Sequence, residues 1–286
     1  MYKDIKMLAM DLDGTLLNKE SRISPQTLKV LGHLKSEGVK LVVSTGRSFS
    51  ACKLYANQIH ADYIVCCNGA IVYDTAKREV LFHKPLPKEV AIEVIQDLYR
   101  YKDHLKIQWD GVETYFSNNI LPFEEDYINA FKEAYPQEAF SLKIYDCIEE
   151  SIEEIMQEEI YQIFTFAFDQ RHKPYYKDVL TRLNQFEEIA YVDFSDGYTD
   201  IIHREATKGN GLLYLSQYQD IHPNEMMIFG DNHNDRSMFE YAGTGVAMGN
   251  AHKDIKEISS HLAGDHHEDG VARFLVEYFD LQQKNA

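Results

Sequence analysis

At both ends of this chain, short apolar runs rich in β-branched residues alternate with longer amphipathic stretches, the pattern of parallel α/β units. "IKMLAMD" reads as a strand. Ser24 and Pro25 then read as N-cap and first helical position, Leu28, Leu31 and Leu34 recur at helical spacing, and Gly38 sits where a helix stops. "VKLVVST" predicts the next strand, "FSACKLYANQ" a helix and "DYIVCCN" a third strand. The C-terminal part repeats the theme with "KGNGLLYLSQYQ", "NDRSMFEYA" and "DGVARFLVEYF" as helices and "MMIFGD" and "TGVAM" as strands. From about Pro85 to Phe194 the texture changes to long polar helices and hairpin-like pairs such as "LKIQWDGVETYFS", where Asp110-Gly111 is a turn signal. The expected fold is a doubly wound, mainly parallel α/β core made of residues 1–83 and 195–286, interrupted by an α+β insert of residues 84–194. The acidic run "EESIEEIMQEE" reads as a solvated helix face.

Composition narrows the function. No apolar run approaches the roughly 18 residues that a membrane span needs, and the N-terminus lacks the pattern of a signal peptide. A soluble, cytoplasmic protein is expected, either a monomer or a weak homo-oligomer. The formal net charge of −17 opposes binding to nucleic acid or an anionic membrane and favours a small ligand. Cys52, Cys66, Cys67 and Cys147 have neither CxxC spacing nor partnering histidines, so they read as buried free thiols.

Acids and small polar residues gather at the ends of the apolar runs. Asp11 and Asp13 follow the first strand, on alternate positions that a pleat would aim the same way, at the edge where open parallel sheets hold their ligands. A hard divalent cation such as Mg²⁺ would relieve their repulsion, and Gly14 permits a turn too tight for a side chain. Solvated loop acids are the plainer alternative. "STGR" puts Thr45 and the Gly46 N–H at the same edge, to bind a phosphoryl oxygen or, for Thr45, to cap the next helix. Lys208 stands at a helix start, a poor place for a cation unless an anion accompanies it, although an exposed lysine is also possible. "GDNHND" brings Asp231 and Asp235 to a further strand end.

Together these pieces resemble the haloacid dehalogenase-like hydrolases, and among them the Cof-type phosphatases that carry a large α/β cap. The matching segments are "DLDGTLL", "STGR", "CNGA", Lys208-Gly209, "GDNHND", "GVAMGNA" and "EDGVARFL". The resemblance implies a Rossmann-like core, a C2-type cap and Mg²⁺-dependent hydrolysis of a small phosphorylated metabolite. By the same likeness, Asp11 is the nucleophile that forms an aspartyl-phosphate, and Asp13 is the general acid and then the general base. The metal falls to Asp11, the Asp13 backbone carbonyl and Asp231. The phosphoryl oxygens fall to Thr45, Gly46, Lys208, Asn234 and the Leu12 N–H. Asp235 supports the metal site or Lys208 from behind. Arg47 contacts phosphate or substrate, or else forms a surface ion pair, while Asn68 and Gly69 shape their loop rather than take part in chemistry.

One motif departs from the family pattern. Members often carry "T-x-x-N-x-x-DGV", where this chain has Ala263 and His266, which puts in question the contact the asparagine supplies. His266 and His267 are expected to be ordinary exposed histidines. A phosphomutase would share the aspartyl-phosphate, whereas a metabolite sensor on this fold would be marked by loss of Asp11 or Asp13, and both are present. A receiver-like switch needs neither the second aspartate nor a cap. Sugar phosphates, flavin-type nucleotides, a ribitylaminopyrimidine phosphate and pyridoxal phosphate all fit, and Trp109 and Tyr115 would either stack on a substrate ring or fill the insert's own core.

Overall fold

The computed structural model describes residues 5–134, 136, 141–193 and 198–281. In chain order it begins with β1 (Met7–Met10), α1 (Pro25–Ser36), β2 (Lys40–Ser44), α2 (Phe49–Gln58), β3 (Tyr63–Cys66), β4 (Ile71–Asp74) and β5 (Glu79–His83). There follow α3 (Lys88–Tyr99), β6 (Leu105–Asp110), β7 (Thr114–Ser117), α4 (Pro122–Ala134), β8 (Ser141–Ile144), α5 (Ile148–Gln157), β9 (Gln162–Ala167), α6 (Lys173–Leu183), β10 (Ile189–Asp193) and β11 (Tyr198–His203). The last part holds α7 (Lys208–Gln219), β12 (Met226–Gly230), α8 (Arg236–Tyr241), β13 (Thr244–Ala247), α9 (Lys253–Ile258), β14 (His261–Leu262) and α10 (Gly270–Tyr278). These elements group into two compact units. One comprises the residues up to Gly46, Tyr55–Phe82 and those from Thr207 on, and the other comprises Arg47–Leu54 and His83–Ala206.

The first unit is built on an eight-stranded sheet of order β14-β13-β12-β1-β2-β3-β4-β5. The strands from β14 to β3 run parallel, while β4 turns back antiparallel to β3. All four residues of β1 are fully buried, as an unbroken apolar run must be when helices cover both faces of a sheet. Helix α1 starts as the sequence indicates: Ser24 Oγ accepts from Thr27 N at 3.1 Å and Pro25 follows, a cap worth about 1 kcal/mol. It packs against α10, and α7 packs against α8. Strands β4 and β5 were not foreseen. Both are short, and β5 is only half-buried, so neither shows the apolar alternation that marks a strand.

The expected return to the core between 194 and 195 lies outside the described residues. Beyond it, β11 still belongs to the second unit, where it pairs antiparallel with both β10 and β9, and that unit continues to Ala206. The physical reason is Ile201, which is fully buried in that unit's core. Among the described residues no helix is long and apolar enough to cross a membrane. Cys52, Cys66 and Cys67 are buried thiols as expected, while Cys147 is only half-buried.

The second unit's sheet has the order β10-β11-β9-β6-β7-β8, antiparallel except for the β7–β8 pair. Leu105, Ile107, Trp109, Phe116 and Ile163 face α3 and α6, which contribute Val94, Ile95, Leu98, Val179 and Leu183. Trp109 is therefore core, stacked on Phe116 with ring centroids 5.7 Å apart. Asp110 and Gly111 do open the β6–β7 hairpin, where Gly111 N donates to Thr114 O at 2.9 Å.

Because strand side chains alternate, β6 sends Lys106, Gln108 and Asp110 to the other face, and all three are buried. Lys106 Nζ lies 2.9 Å from Glu124 Oε2 and also donates to Asn119 O, while the Tyr115 hydroxyl donates to Glu124. Gln108 Nε2 donates to both carboxylate oxygens of Asp110, at 3.0 and 3.1 Å. Burial pushes the Asp110 carboxyl up to about 8, opposed by the Gln108 amide and assisted by Asp200. A carboxyl raised in the folded state binds more protons there than in the unfolded chain, so its contribution falls as pH climbs from the ordinary carboxylate range through about 8. Urea unfolding across that window should show stability declining with pH in the wild type and a flatter profile in Asp110→Asn. Identical slopes would show that Asp110 does not titrate in this way.

Candidate active site

β1 ends at Met10, and its ladder continues for one residue, with Asp11 N donating to Phe229 O at 3.1 Å. The chain then turns on itself: Thr15 N and Leu17 N both donate to Leu12 O, and Leu16 N donates to Asp11 O. The pleat expected to aim Asp11 and Asp13 the same way therefore does not extend to Asp13. The strand is over, so the turn decides, leaving Asp11 buried and Asp13 exposed. Gly14 makes the turn possible, since its φ is +77° and a Cβ there would lie 2.4 Å from Asp231 Oδ2.

Lys208 opens α7 behind Thr207, whose Oγ1 caps the helix by accepting from Asn210 N at 3.1 Å. The lysine is fully buried, with Nζ 2.7 Å from Asp11 Oδ1 and 2.6 Å from Asp235 Oδ1, which excludes the exposed-lysine reading. Burial alone would push its pKa down, but the two carboxylates overcome that and hold the ammonium charged. Asp235 is also fully buried, and its Oδ2 accepts from Asp231 N at 2.9 Å and Asn232 N at 3.0 Å. The loop after β12 is thereby fixed to α7. Asp231 Oδ1 accepts from Thr15 Oγ1 at 3.4 Å and Oδ2 from Asn250 Nδ2 at 3.3 Å. Burial pushes Asp231 up to about 7, with Asp235 adding to the shift and Lys208 opposing it. Asp11 is raised by burial too, against Lys208, while Asp235, Asp231 and Asp13 add their repulsion.

At the neighbouring strand end Thr45 is buried. Its N–H donates to Val65 O at 2.8 Å and its carbonyl accepts from Asn68 N at 3.1 Å. Helix α2 starts only at Phe49, so Thr45 does not cap it. A Cβ built on Gly46 would lie 3.0 Å from Asn68 Oδ1 and 3.3 Å from Asn234 Nδ2, so these three residues converge. Asn234 Nδ2 in turn donates to Asn68 Oδ1 at 2.9 Å. Asn68 thus holds a side chain expected to bind phosphate, beyond shaping its own loop. Gly69, at φ +101°, lets that loop pass the start of α7, where a Cβ would be 2.0 Å from Thr207 O. Arg47 is half-buried and falls in the segment grouped with the second unit.

His266, the residue that departs from the family pattern, is half-buried rather than exposed. Its Nδ1 lies 2.6 Å from Leu17 O, and its N–H donates to Asn250 Oδ1 at 3.2 Å. Asn250 Nδ2 also donates to Gly14 O at 2.8 Å, so one amide joins the Asp11 turn, Asp231 and the C-terminal loop. Asn250 is the functional candidate the sequence reading missed. It lies inside "GVAMGNA", yet neither charge nor periodicity singles it out. Asp265, His266 and His267 do bring ligand atoms within 4.8 Å of one another, although His266 Nδ1 is already engaged by Leu17 O.

Carboxylate oxygens of Asp11, Asp231 and Asp235 also lie within 4.8 Å of one another. Three acids around the single ammonium of Lys208 leave the cluster short of positive charge, and hard oxygen donors fit Mg²⁺. Asp235 is held by the Lys208 ammonium and two main-chain N–H groups at 2.6–3.0 Å, whereas Asp231 accepts only long bonds of 3.3 and 3.4 Å and Asp11 has one oxygen on Lys208. Asp11 and Asp231 are therefore the side chains better able to hold such an ion.

A sequence model of haloacid dehalogenase-like hydrolases matches residues 8–275. A 5-amino-6-(5-phospho-D-ribitylamino)uracil phosphatase of Bacillus subtilis is 30% identical over 283 residues, spanning 96% of this chain and 98% of that protein. The pyridoxal phosphate phosphatase of Escherichia coli is 27% identical over 280 residues, with coverage of 96% and 98%. A solved haloacid dehalogenase-like hydrolase from B. subtilis superposes with a TM-score of 0.78 at 25% identity, covering 95% of this chain and 99% of that one. Another, from Bacteroides thetaiotaomicron, gives 0.79 at 23%, covering 96% and 100%, and shows the same fold.

The pairing at Lys208 can be measured directly. Lys208→Met leaves two buried carboxylates facing each other, and urea unfolding should show a loss of about 3–5 kcal/mol. A loss below about 1 kcal/mol, the range of an exposed pair, would contradict the burial described.

Proposed function

The chain belongs to the haloacid dehalogenase-like hydrolases, and on that premise we propose that it is a Mg²⁺-dependent phosphatase of a small phosphorylated metabolite, working through an aspartyl-phosphate on Asp11. The observation that carries this reading is the buried Asp11 carboxylate, oriented by Lys208 and close enough to Asp13 to feel its charge. In the proposed first step an Asp11 oxygen attacks phosphorus, the bond to the leaving oxygen breaks, and Asp13 gives that oxygen its proton. In the second step Asp13 takes a proton from water, whose oxygen attacks phosphorus and releases phosphate and Asp11. Exposure of Asp13 suits a group that must meet first a leaving group and then water.

Thr45, the Gly46 and Leu12 N–H groups, Lys208 and Asn234 would bind the transferred phosphoryl oxygens, with Asn68 and Asn250 as positioning residues. Asp11, the Asp13 carbonyl and Asp231 would hold Mg²⁺, whose charge screens the incoming phosphate from the carboxylates. We assign the second unit the role of a cap that contacts the leaving group and excludes water, which favours a metabolite over a phosphoprotein. The relatives named for a ribitylaminouracil phosphate and for pyridoxal phosphate support a substrate of that size.

Phosphate release from a panel of phosphorylated metabolites should require Mg²⁺ and cease on chelation. Asp11→Asn should lower kcat by about 10⁴-fold or more, the scale seen when a nucleophile is removed. Product analysis should give the free alcohol and inorganic phosphate, whereas return of the phosphoryl group to a second position would identify a mutase. A folded, metal-binding protein that releases phosphate from no member of the panel would refute the proposal.

A further inference from the structure

Outside the carboxylate cluster, the first unit gathers two imidazoles and an acid at its surface, and the steps above have no use for them. His233 lies in the turn that carries Asp231 and Asp235, with its N–H donating to Asn232 Oδ1 at 2.7 Å. His252 immediately precedes α9, and its N–H donates to the Asp231 carbonyl at 2.9 Å. Asp254 stands in the first turn of that helix. His233 Nδ1 is 3.0 Å from Asp254 Oδ2, and the rings of His233 and His252 are 4.5 Å apart between centroids. One ligand atom from each of the three residues lies within 4.8 Å of the other two. Two ligands on one tetrahedral ion, each about 2.1 Å from it, are roughly 3.3 Å apart, so His233 and Asp254 are already close to that spacing.

A surface ion pair would account for His233 and Asp254 but gives His252 no part. Among the described residues the His252 imidazole has no hydrogen-bond partner, which leaves its ring nitrogens free to bind. Arg236 Nη2 comes within 3.7 Å of Asp254 Oδ2, yet its Nη1 also reaches Glu240 at 3.5 Å, so the guanidinium keeps an acid of its own if a cation displaces it. The other clusters of possible ligands differ in chemistry or in freedom. Asp11, Asp231 and Asp235 offer oxygen alone, the choice of a hard ion. In the loop of Asp265, His266 and His267, Asp265 Oδ1 already accepts from His267 N at 2.9 Å and His266 Nδ1 lies on Leu17 O.

We propose that His233, His252 and Asp254 form a metal site separate from the carboxylate cluster, for a late first-row transition-metal ion such as Zn²⁺, with water completing its coordination. Two imidazoles and one carboxylate suit that class of ion and not Mg²⁺ or Ca²⁺, which prefer oxygen throughout. The start of α9 is weakly positive and by itself repels a cation, an effect that the Asp254 charge offsets. Once bound, the ion ties the turn bearing Asp231 and Asp235 to the start of α9 and stabilises the folded chain. The site stands whether or not the protein is a phosphatase.

Calorimetric titration of the untagged full chain with Zn²⁺, in excess Mg²⁺, tests this. His252→Gln and Asp254→Asn should each either lose one zinc relative to the wild type or bind it at least about tenfold more weakly, the scale on which metal sites respond when an interaction that supports them is removed. Zinc that also enters the carboxylate cluster is common to all three proteins and cancels in the comparison. Added zinc should raise the melting temperature of the wild type by more than that of either variant, because only the wild type has the complete site to bind. His267→Gln serves as the control for the neighbouring histidine pair and should take up zinc as the wild type does. Absence of zinc binding by the wild type would overturn the proposal. So would zinc held by His252→Gln as tightly as by the wild type, or zinc lost from His267→Gln instead.

Discussion

Everything at the candidate site leans on one buried ammonium. Lys208 Nζ touches Asp11 on one side and Asp235 on the other, and Asp235 in turn takes the backbone N–H groups of Asp231 and Asn232. Three segments far apart in sequence are drawn to one point by charge-assisted hydrogen bonds in a water-poor setting, where such bonds are strong and their loss is costly. Removing the lysine would leave carboxylates whose repulsion only another cation could offset.

The sheet explains why those segments meet. Strands β12, β1 and β2 lie side by side and parallel, so the loops that follow them open on the same edge. Fully buried apolar strands make that edge rigid, while turns through Gly14 and Gly69 let backbone come closer than a side chain would allow. Chemistry is carried on short loops and precision is supplied by the layers beneath them.

Much of this was legible in the residues because it rests on local patterns. The Ser24–Pro25 start of α1, the β6–β7 hairpin and the acids and lysine at the strand ends each announce themselves within a few positions. Long-range relations did not. The exposure of Asp13 depends on where β1 stops, which a run of apolar residues followed by two acids leaves open. Asn250 and His266 matter through bonds to Gly14 and Leu17, more than two hundred positions away in the chain, and an uncharged amide gives no periodic or electrostatic signal. The half-buried β5, and β11 on the far side of residues 194–197, likewise carry too little apolar contrast to declare which sheet they join.

Asp235 has consequences for how such a chain can change over generations. Its two oxygens serve different masters, one a side-chain ammonium and the other a pair of main-chain N–H groups. A lineage that replaced the lysine first would pass through a form with opposed buried acids, and one that replaced the acid first would strand both the ammonium and the loop amides. Neither single step is neutral, so positions 208 and 235 are locked together by history as well as by contact. At position 266, by contrast, the side chain engages a backbone carbonyl, that of Leu17.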